Sequence, residues 1–291
     1  MGAARYLPHW LKTTLRRWDA ATRRAWIERF HAFSEDELLA ALRRLGVVPG
    51  DVLLVHASYA RFAGFRGTVG GAIRTLQGAV TENGALLMPT LPFSGTAVEF
   101  VARNPVTDLR RAPSHMGLLS DLFRRWPNVT RSIHPTHPVA GWGNRAAALL
   151  SEHAMATTPC GVHSPYHKLL EAGGKILLAG VSIDALTFYH CIEELLEPQL
   201  PVRPFTERIY ELQVRDVQGA LHPIRTRLYD PIVSARRFGD PMIEPLKRRG
   251  YWRQARVGRL PLVLLNAREV LETVTEMARA GVYCYRSEAS T

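Results

Sequence analysis

GKILLAGVSIDALTFYHCIEE, residues 174–194, decides how the rest of the chain is read. Ile176, Leu177, Leu178 and Ala179 make a short apolar run after a Gly-Gly pair, and Gly180 ends it. That is the pattern of a buried strand running into a loop. Asp184 lies in the turn. Residues 187–196 then predict a helix on which His190 and Glu193, three residues apart, share one face. A base and an orienting carboxylate would thus meet at the mouth of a sheet, where open α/β folds hold their ligands. Without a tertiary partner, the same residues equally describe a helix whose histidine and glutamate are only solvated.

Working outward, an S-x-x-E capping box at Ser34 and Glu37 opens a helix that runs to about Leu45, where Gly46 is a stop. Residues 51–55 predict a buried strand ending at His56. The sequence HASYARFAGFRGTVGGA follows it, and Thr68 to Gly71 leads into a helix over 72–80. Small residues behind a strand let backbone N–H groups approach a phosphate or amide. This loop is neither a GxGxxG fingerprint nor a Walker A loop. Residues 84–90 predict a second strand, with the Thr90 hydroxyl aimed at the cleft. Prolines at 92, 105 and 113 mark residues 91–115 as an irregular excursion, the kind of long loop that serves as a lid or binding wall. Helices are expected over 116–126, 144–153 and from Ser164-Pro165 to Leu170. Residues 209–214 and 224–229 read as a hairpin turning at Gln218-Gly219. A short helix over 241–249, strands over 254–258 and 260–266, and a helix over 268–280 close an α/β domain with a β-rich C-terminal subregion.

With 291 residues and 46% apolar side chains, one large domain over 34–291 is expected. Residues 1–33 stand apart as a basic extension, with Trp10, Trp18, Trp26 and Phe30 at roughly helical spacing. Such a segment packs on its own domain or on a second subunit, or touches an anionic membrane face. The net charge of +11 favours anionic partners, yet no nucleic-acid-binding module accompanies it. No apolar run reaches membrane-spanning length and no signal peptide is recognisable, so a cytoplasmic protein is expected. Cys160, Cys191 and Cys284 are scattered and form neither a disulfide framework nor a zinc motif. Cys191 reads as a buried structural thiol rather than a nucleophile.

The segment RSIHPTHPVAGWG carries His134 and His137 on a proline-punctuated, extended track. With His56, His190 and Glu193 they compose a candidate zinc or iron site, hence a metal-dependent hydrolase. The flanking prolines suggest instead a rigid loop with one histidine facing a substrate.

In order and spacing, GDVLLVHAS, TVGGA, GALLMPT, PSHMGLLSDLFRRWPNVTRSIHPTH, HSPYHKL and the 174–194 stretch resemble the aminoglycoside 3-N-acetyltransferase family, the antibiotic N-acetyltransferases outside the GNAT fold. The resemblance runs from about Leu38 to Tyr283. It implies an αβα-layered mixed sheet and transfer of an acetyl group from acetyl-CoA to an amine of an aminoglycoside or related amino sugar. His190 would be the base, with Glu193 or Asp184 orienting it, and the transfer would be direct, with no metal. Backbone amides near Ala57 and Ser58 would serve the oxyanion. Ala57, Ser58, Thr68, Gly70 and Gly71 would cradle pantetheine and phosphates, with Thr90 also at the cofactor and His134 lining the thioester channel. A small-molecule amine is the expected partner, with no nucleic acid; a homo-oligomer is compatible with the sequence. The same chemistry could serve a polysaccharide amino sugar or a natural-product amine. The positive charge sits uneasily with a polycationic acceptor, which an acidic site would attract.

Overall fold

The computed structural model describes residue 22 and residues 25–287. Its strands are β1 (Val52–Ala57), β2 (Ala85–Pro89), β3 (Val106–Asp108), β4 (Thr130–Arg131), β5 (Val139–Trp142), β6 (Lys175–Ala179), β7 (Phe205–Arg215), β8 (Leu221–Tyr229), β9 (Arg253–Val257) and β10 (Leu260–Asn266). From Ser34 onward the α-helices are α1 (Glu35–Leu45), α2 (Val69–Val80), α3 (Ala97–Arg103), α4 (Leu118–Phe123), α5 (Ala146–Leu150), α6 (Pro165–Glu171), α7 (Tyr189–Leu196), α8 (Pro231–Arg236), α9 (Ile243–Arg248) and α10 (Ala267–Arg279).

Seven strands form the main sheet in the order β4-β5-β2-β1-β6-β10-β9. At its centre β1 pairs in parallel with both β2 and β6, while both edges are antiparallel. Period-2 alternation sends successive side chains to opposite faces. Val52, Leu54, Ile176 and Leu178 pack on one side with Val270 and Val274 of α10 and Ile192 of α7. Leu53, Val55, Leu177 and Leu264 pack on the other with Leu38 and Leu42 of α1 and Ile73 and Leu76 of α2. Each such side chain contributes about 1.5–3 kcal/mol on burial. The expected αβα layering therefore holds, and the β-rich subregion is a second sheet of order β3-β7-β8.

Local signals account for many element ends. The Ser34 amide donates to Glu37 Oε2 at 2.8 Å and the Glu37 amide to Ser34 Oγ at 3.2 Å, completing the capping box. Gly46, at φ 102°, stops α1. Gly180, at φ 70°, turns the chain out of β6, and a Cβ there would lie 2.5 Å from that of Arg61.

The stretch 91–115 is more regular than its prolines suggested, because it holds α3 and β3. Thr96 caps α3 by accepting from the Glu99 amide, and Ala97 and Val101 pack on Tyr210, Leu212 and Leu228 of the second sheet. Pro92 and Pro105 fall outside both elements. Conversely, the helices expected over 116–126 and 144–153 shrink to α4 and α5, and α7 starts at Tyr189 rather than at 187. Most of the expected 1–33 extension lies outside the described residues. Residues 25–30 are helical. Arg259 lies over the Trp26 ring at 5.5 Å, and Phe33 is buried in the core. Among the described residues no helix is long and apolar enough to cross a membrane.

Candidate active site

The carboxyl ends of β1 and β6 lie side by side, paired through Ala57 and Ala179, and the chain leaves β6 for α7 through residues 180–188. This is a topological switch point: β1 has β2 on one side and β6 on the other. His190, in the first turn of α7, reaches the cleft there.

The i, i+3 spacing brings His190 Nδ1 to 2.7 Å from Glu193 Oε2. Glu193 is almost completely buried, whereas the His190 side chain keeps 21% of its surface exposed. The other Glu193 oxygen, Oε1, accepts from Arg237 Nε at 2.6 Å and from the Tyr285 hydroxyl. Burial would raise the Glu193 pKa, but the hydrogen bond and charge of His190, and after them those of Arg237, hold the carboxylate below its ordinary value. An ionised Glu193 accepts, so His190 Nδ1 carries the proton and Nε2 keeps its lone pair. Burial, with the nearby Arg237 charge, lowers the His190 pKa, and Glu193 partly offsets both. The imidazole is therefore neutral and available as a base near pH 7. Tyr229 flanks the His190 ring at 4.6 Å, and His137 stands edge-on at 6.1 Å.

Two cavities meet at this imidazole and share Leu91, Asp184, His190 and Arg237 as walls. One, of about 230 Å³, is lined mostly by apolar groups including Met116, Ile183, Leu186, Phe238 and Met242. The other, of about 290 Å³, is bounded by Phe93, Thr96, His137, Tyr229 and Ser234. A third, of about 40 Å³, touches the first through Met116 and Ala185 and is lined by His56 and Ala57. His56 is neutral, its pKa driven down to about 3 by burial, with the positive His190 form adding to the effect.

The remaining sequence-derived candidates separate. Asp184 lines both large cavities but is held by the Gly239 amide at 2.7 Å and by Ser182 Oγ at 3.2 Å; Glu193 is the carboxylate bonded to His190. Ala57 reaches the small cavity. The Ser58 amide, expected to serve an oxyanion, instead donates to Ala179 O at 3.1 Å, because the chain is still closing the sheet there. Thr68, Gly70 and Gly71 line none of the three cavities. Thr68 caps α2, and added Cβ atoms at Gly70 and Gly71 would collide with the Trp126 ring and the Glu35 carboxylate.

Thr90 does not face the cleft. Its hydroxyl donates to Pro138 O at 2.9 Å and accepts from Arg131 Nε at 2.9 Å, because buried Arg131 uses it to tie down the 109–112 loop. His134 is also fully buried and lines none of these cavities. Its Nδ1 accepts from the His137 and Thr136 amides, and its ring stacks on His153 at 4.5 Å. Among the described residues, no three His, Cys, Asp or Glu side chains converge as a metal site. Cys191 is fully buried, and burial raises its pKa. Arg237 and Tyr285 have no signal in the sequence: they lie 44 and 92 residues from Glu193 and carry no local motif.

The sequence pattern of the aminoglycoside 3-N-acetyltransferases matches residues 54–279, most of the chain and all of this site except Tyr285. The chain belongs to the aminoglycoside 3-N-acetyltransferase family. Within it, aminoglycoside N(3)-acetyltransferase IV from a Salmonella species is 37% identical over 159 residues, 54% of this chain and 57% of that relative. Sequence similarity to this relative thus spans little more than half of its length. A histidine-to-alanine variant of aminoglycoside acetyltransferase AAC(3)-IVa, solved with a gentamicin, superposes with a TM-score of 0.73 at 25% identity, covering 89% of this chain and 93% of that one. AAC-IIIb, solved with CoASH, shares the fold with a TM-score of 0.70 at 24% identity over 85% of this chain and 97% of that one.

Proposed function

We propose that this acetyltransferase-family protein moves the acetyl group of acetyl-CoA onto an amine, with His190 as general base and Glu193 as the group that orients it. The observation that carries this reading is the 2.7 Å bond from His190 Nδ1 to a buried Glu193 fixed from behind by Arg237 and Tyr285. It leaves a neutral Nε2 at the junction of two cavities.

An ammonium has no lone pair with which to attack a carbonyl. His190 Nε2 takes the proton, and Glu193 stabilises the cationic imidazole, a division of labour worth about 10²–10⁴ in rate. Acetyl-CoA supplies an activated thioester: an N–C bond forms, the C–S bond breaks, and the leaving thiolate takes up the second proton that the nitrogen loses, while His190 returns the first to solvent. The apolar walls at Leu91, Met116, Ile183, Leu186 and Met242 fit a pantetheine arm, and they exclude water that would otherwise compete with the amine. No metal is required by this reading. The relatives' names make aminoglycosides the first acceptors to assay, followed by amino sugars of polysaccharides and natural-product amines.

The test is free-thiol release from acetyl-CoA with a panel of amines, paired with mass measurement of the acylated product. Amine-dependent release with an acetyl adduct on the amine supports the reading. Hydrolysis that needs no amine and is abolished by chelation would establish a metal-dependent hydrolase instead.

A further inference from the structure

We propose that His56 is a second catalytic histidine, whose Nε2–H binds the thioester carbonyl oxygen and stabilises it as it becomes an oxyanion. This rests on the acyl-transfer reading and deepens it. His56 stands near the carboxyl end of β1, the central strand, and lines the cavity of about 40 Å³ that meets the larger apolar one at Met116 and Ala185. It is 4% exposed, yet its Nε2 has no hydrogen-bond partner among the described residues. A buried polar atom left unpaired costs stability, so one that borders a cavity points to a ligand that completes its bonding. Among the described residues five other buried side-chain atoms share that condition, and of their residues only Arg237 lines one of these three cavities, where Glu193 already holds it.

Two neighbouring donors are committed elsewhere. The Ser58 amide bonds Ala179 O, and Ser120, the other polar side chain of the small cavity, bonds Ser114 Oγ at 2.8 Å and Gly117 O at 3.0 Å. Met88, Leu119 and Val181 make the remaining wall apolar, and a dry surrounding strengthens a hydrogen bond to a developing negative charge. Burial, with the positive His190 form adding to it, drives the His56 pKa down to about 3, so near pH 7 the ring is neutral and carries one N–H. A neutral imidazole donates to an oxyanion without surrendering its proton. The two histidines divide the work. His190 takes the proton of the amine; as the N–C bond forms, the carbonyl electron pair moves onto oxygen, and His56 holds that oxygen until the pair returns and expels the thiolate.

The experiment measures thiol release from acetyl-CoA by the full chain with the fastest amine of the panel, alongside thermal melts, for the wild type, His56→Leu and His56→Gln. His56→Leu fills the space of the ring with an apolar side chain. It should lower kcat by about 10²–10³-fold, move the KM for acetyl-CoA by less than about 3-fold, and leave the Tm unchanged or raised, because no protein partner is lost. His56→Gln restores a side-chain N–H and should recover about 10-fold of the lost kcat. A ring that only packs would give a lowered Tm and no recovery in His56→Gln. That pattern, an unfolded His56→Leu, or a His56→Leu kcat within about 3-fold of wild type would overturn the inference and leave acyl transfer standing. A wild-type chain that releases no thiol with any amine would overturn the acyl-transfer reading and this inference with it.

Discussion

Two turns in this molecule look alike in sequence and differ in use. Each follows a parallel strand, is rich in small residues and leads into a helix: residues 58–71 after β1, and residues 180–188 after β6. The second delivers His190 to the junction of two cavities. The first ends in the glycines of α2, which leave room for the Trp126 ring and the Glu35 carboxylate. A histidine and a glutamate three residues apart on one helix carry their contact within their own spacing. A glycine shows only that something comes close, and what comes close is decided by the rest of the fold.

Substitutions in the two turns should act differently. His190→Ala should lower kcat/KM by about 10²–10⁴ while the circular dichroism spectrum stays unchanged. Near-wild-type turnover would remove the β6 turn from the chemistry. Glu193→Gln leaves Arg237, whose side chain is only 11% exposed, without its counter-charge, so chemical denaturation should show a loss of about 3 kcal/mol. Glu193 raises the His190 pKa, so in this variant the acid limb of the rate profile should also move to lower pH. Loss of rate without loss of stability would contradict the anchoring described. Tyr285→Phe removes one donor to an ionised carboxylate and should cost about 1.5–3 kcal/mol in the same unfolding measurement.

Acid sensitivity comes next. His56 and His153 are buried neutral, with pKa values pushed down to about 3. The unfolded chain binds their protons near pH 6.5, so between about pH 6.5 and 3 the unfolded state takes up more protons than the folded one. Stability should therefore fall as pH falls through that window, by up to about 1.4 kcal/mol per pH unit for each histidine, in melts run from pH 7.5 to 5. The smallest effect belongs to the β1 turn. In Gly70→Ala the push against Trp126 costs about 1–3 kcal/mol and the gain in helix propensity returns about 1 kcal/mol. The Tm should drop by a few degrees with the KM for acetyl-CoA unmoved; a raised KM at unchanged Tm would make this turn a cofactor cradle after all.

The same contrast explains what could be read in the sequence. The capping box at Ser34 and Glu37, the short apolar run of β1 and the His190–Glu193 pair depend on neighbours within a few residues, and the structure contains all three. Arg237 and Tyr285 reach Glu193 only because α8 and the chain beyond α10 fold back onto α7. A place at the end of a strand points the Thr90 hydroxyl to the cleft, and the family resemblance points Ser58 to the cofactor. Each is instead committed to a partner across the fold, Thr90 to Arg131 and Pro138 and the Ser58 amide to Ala179. Nothing within their own segments announces those partners.

The most direct test of His190 as the base is the pH dependence of kcat/KM between pH 5 and 9, measured by thiol release from acetyl-CoA for the wild type and His190→Ala. Burial beside Arg237 lowers the His190 pKa, so the wild-type profile should be level above about pH 6.5 and fall through a single ionisation below it, as the base takes up its proton. In His190→Ala that limb should vanish and leave a low residual rate. The same acid limb surviving in His190→Ala at near-wild-type rate would contradict the assignment.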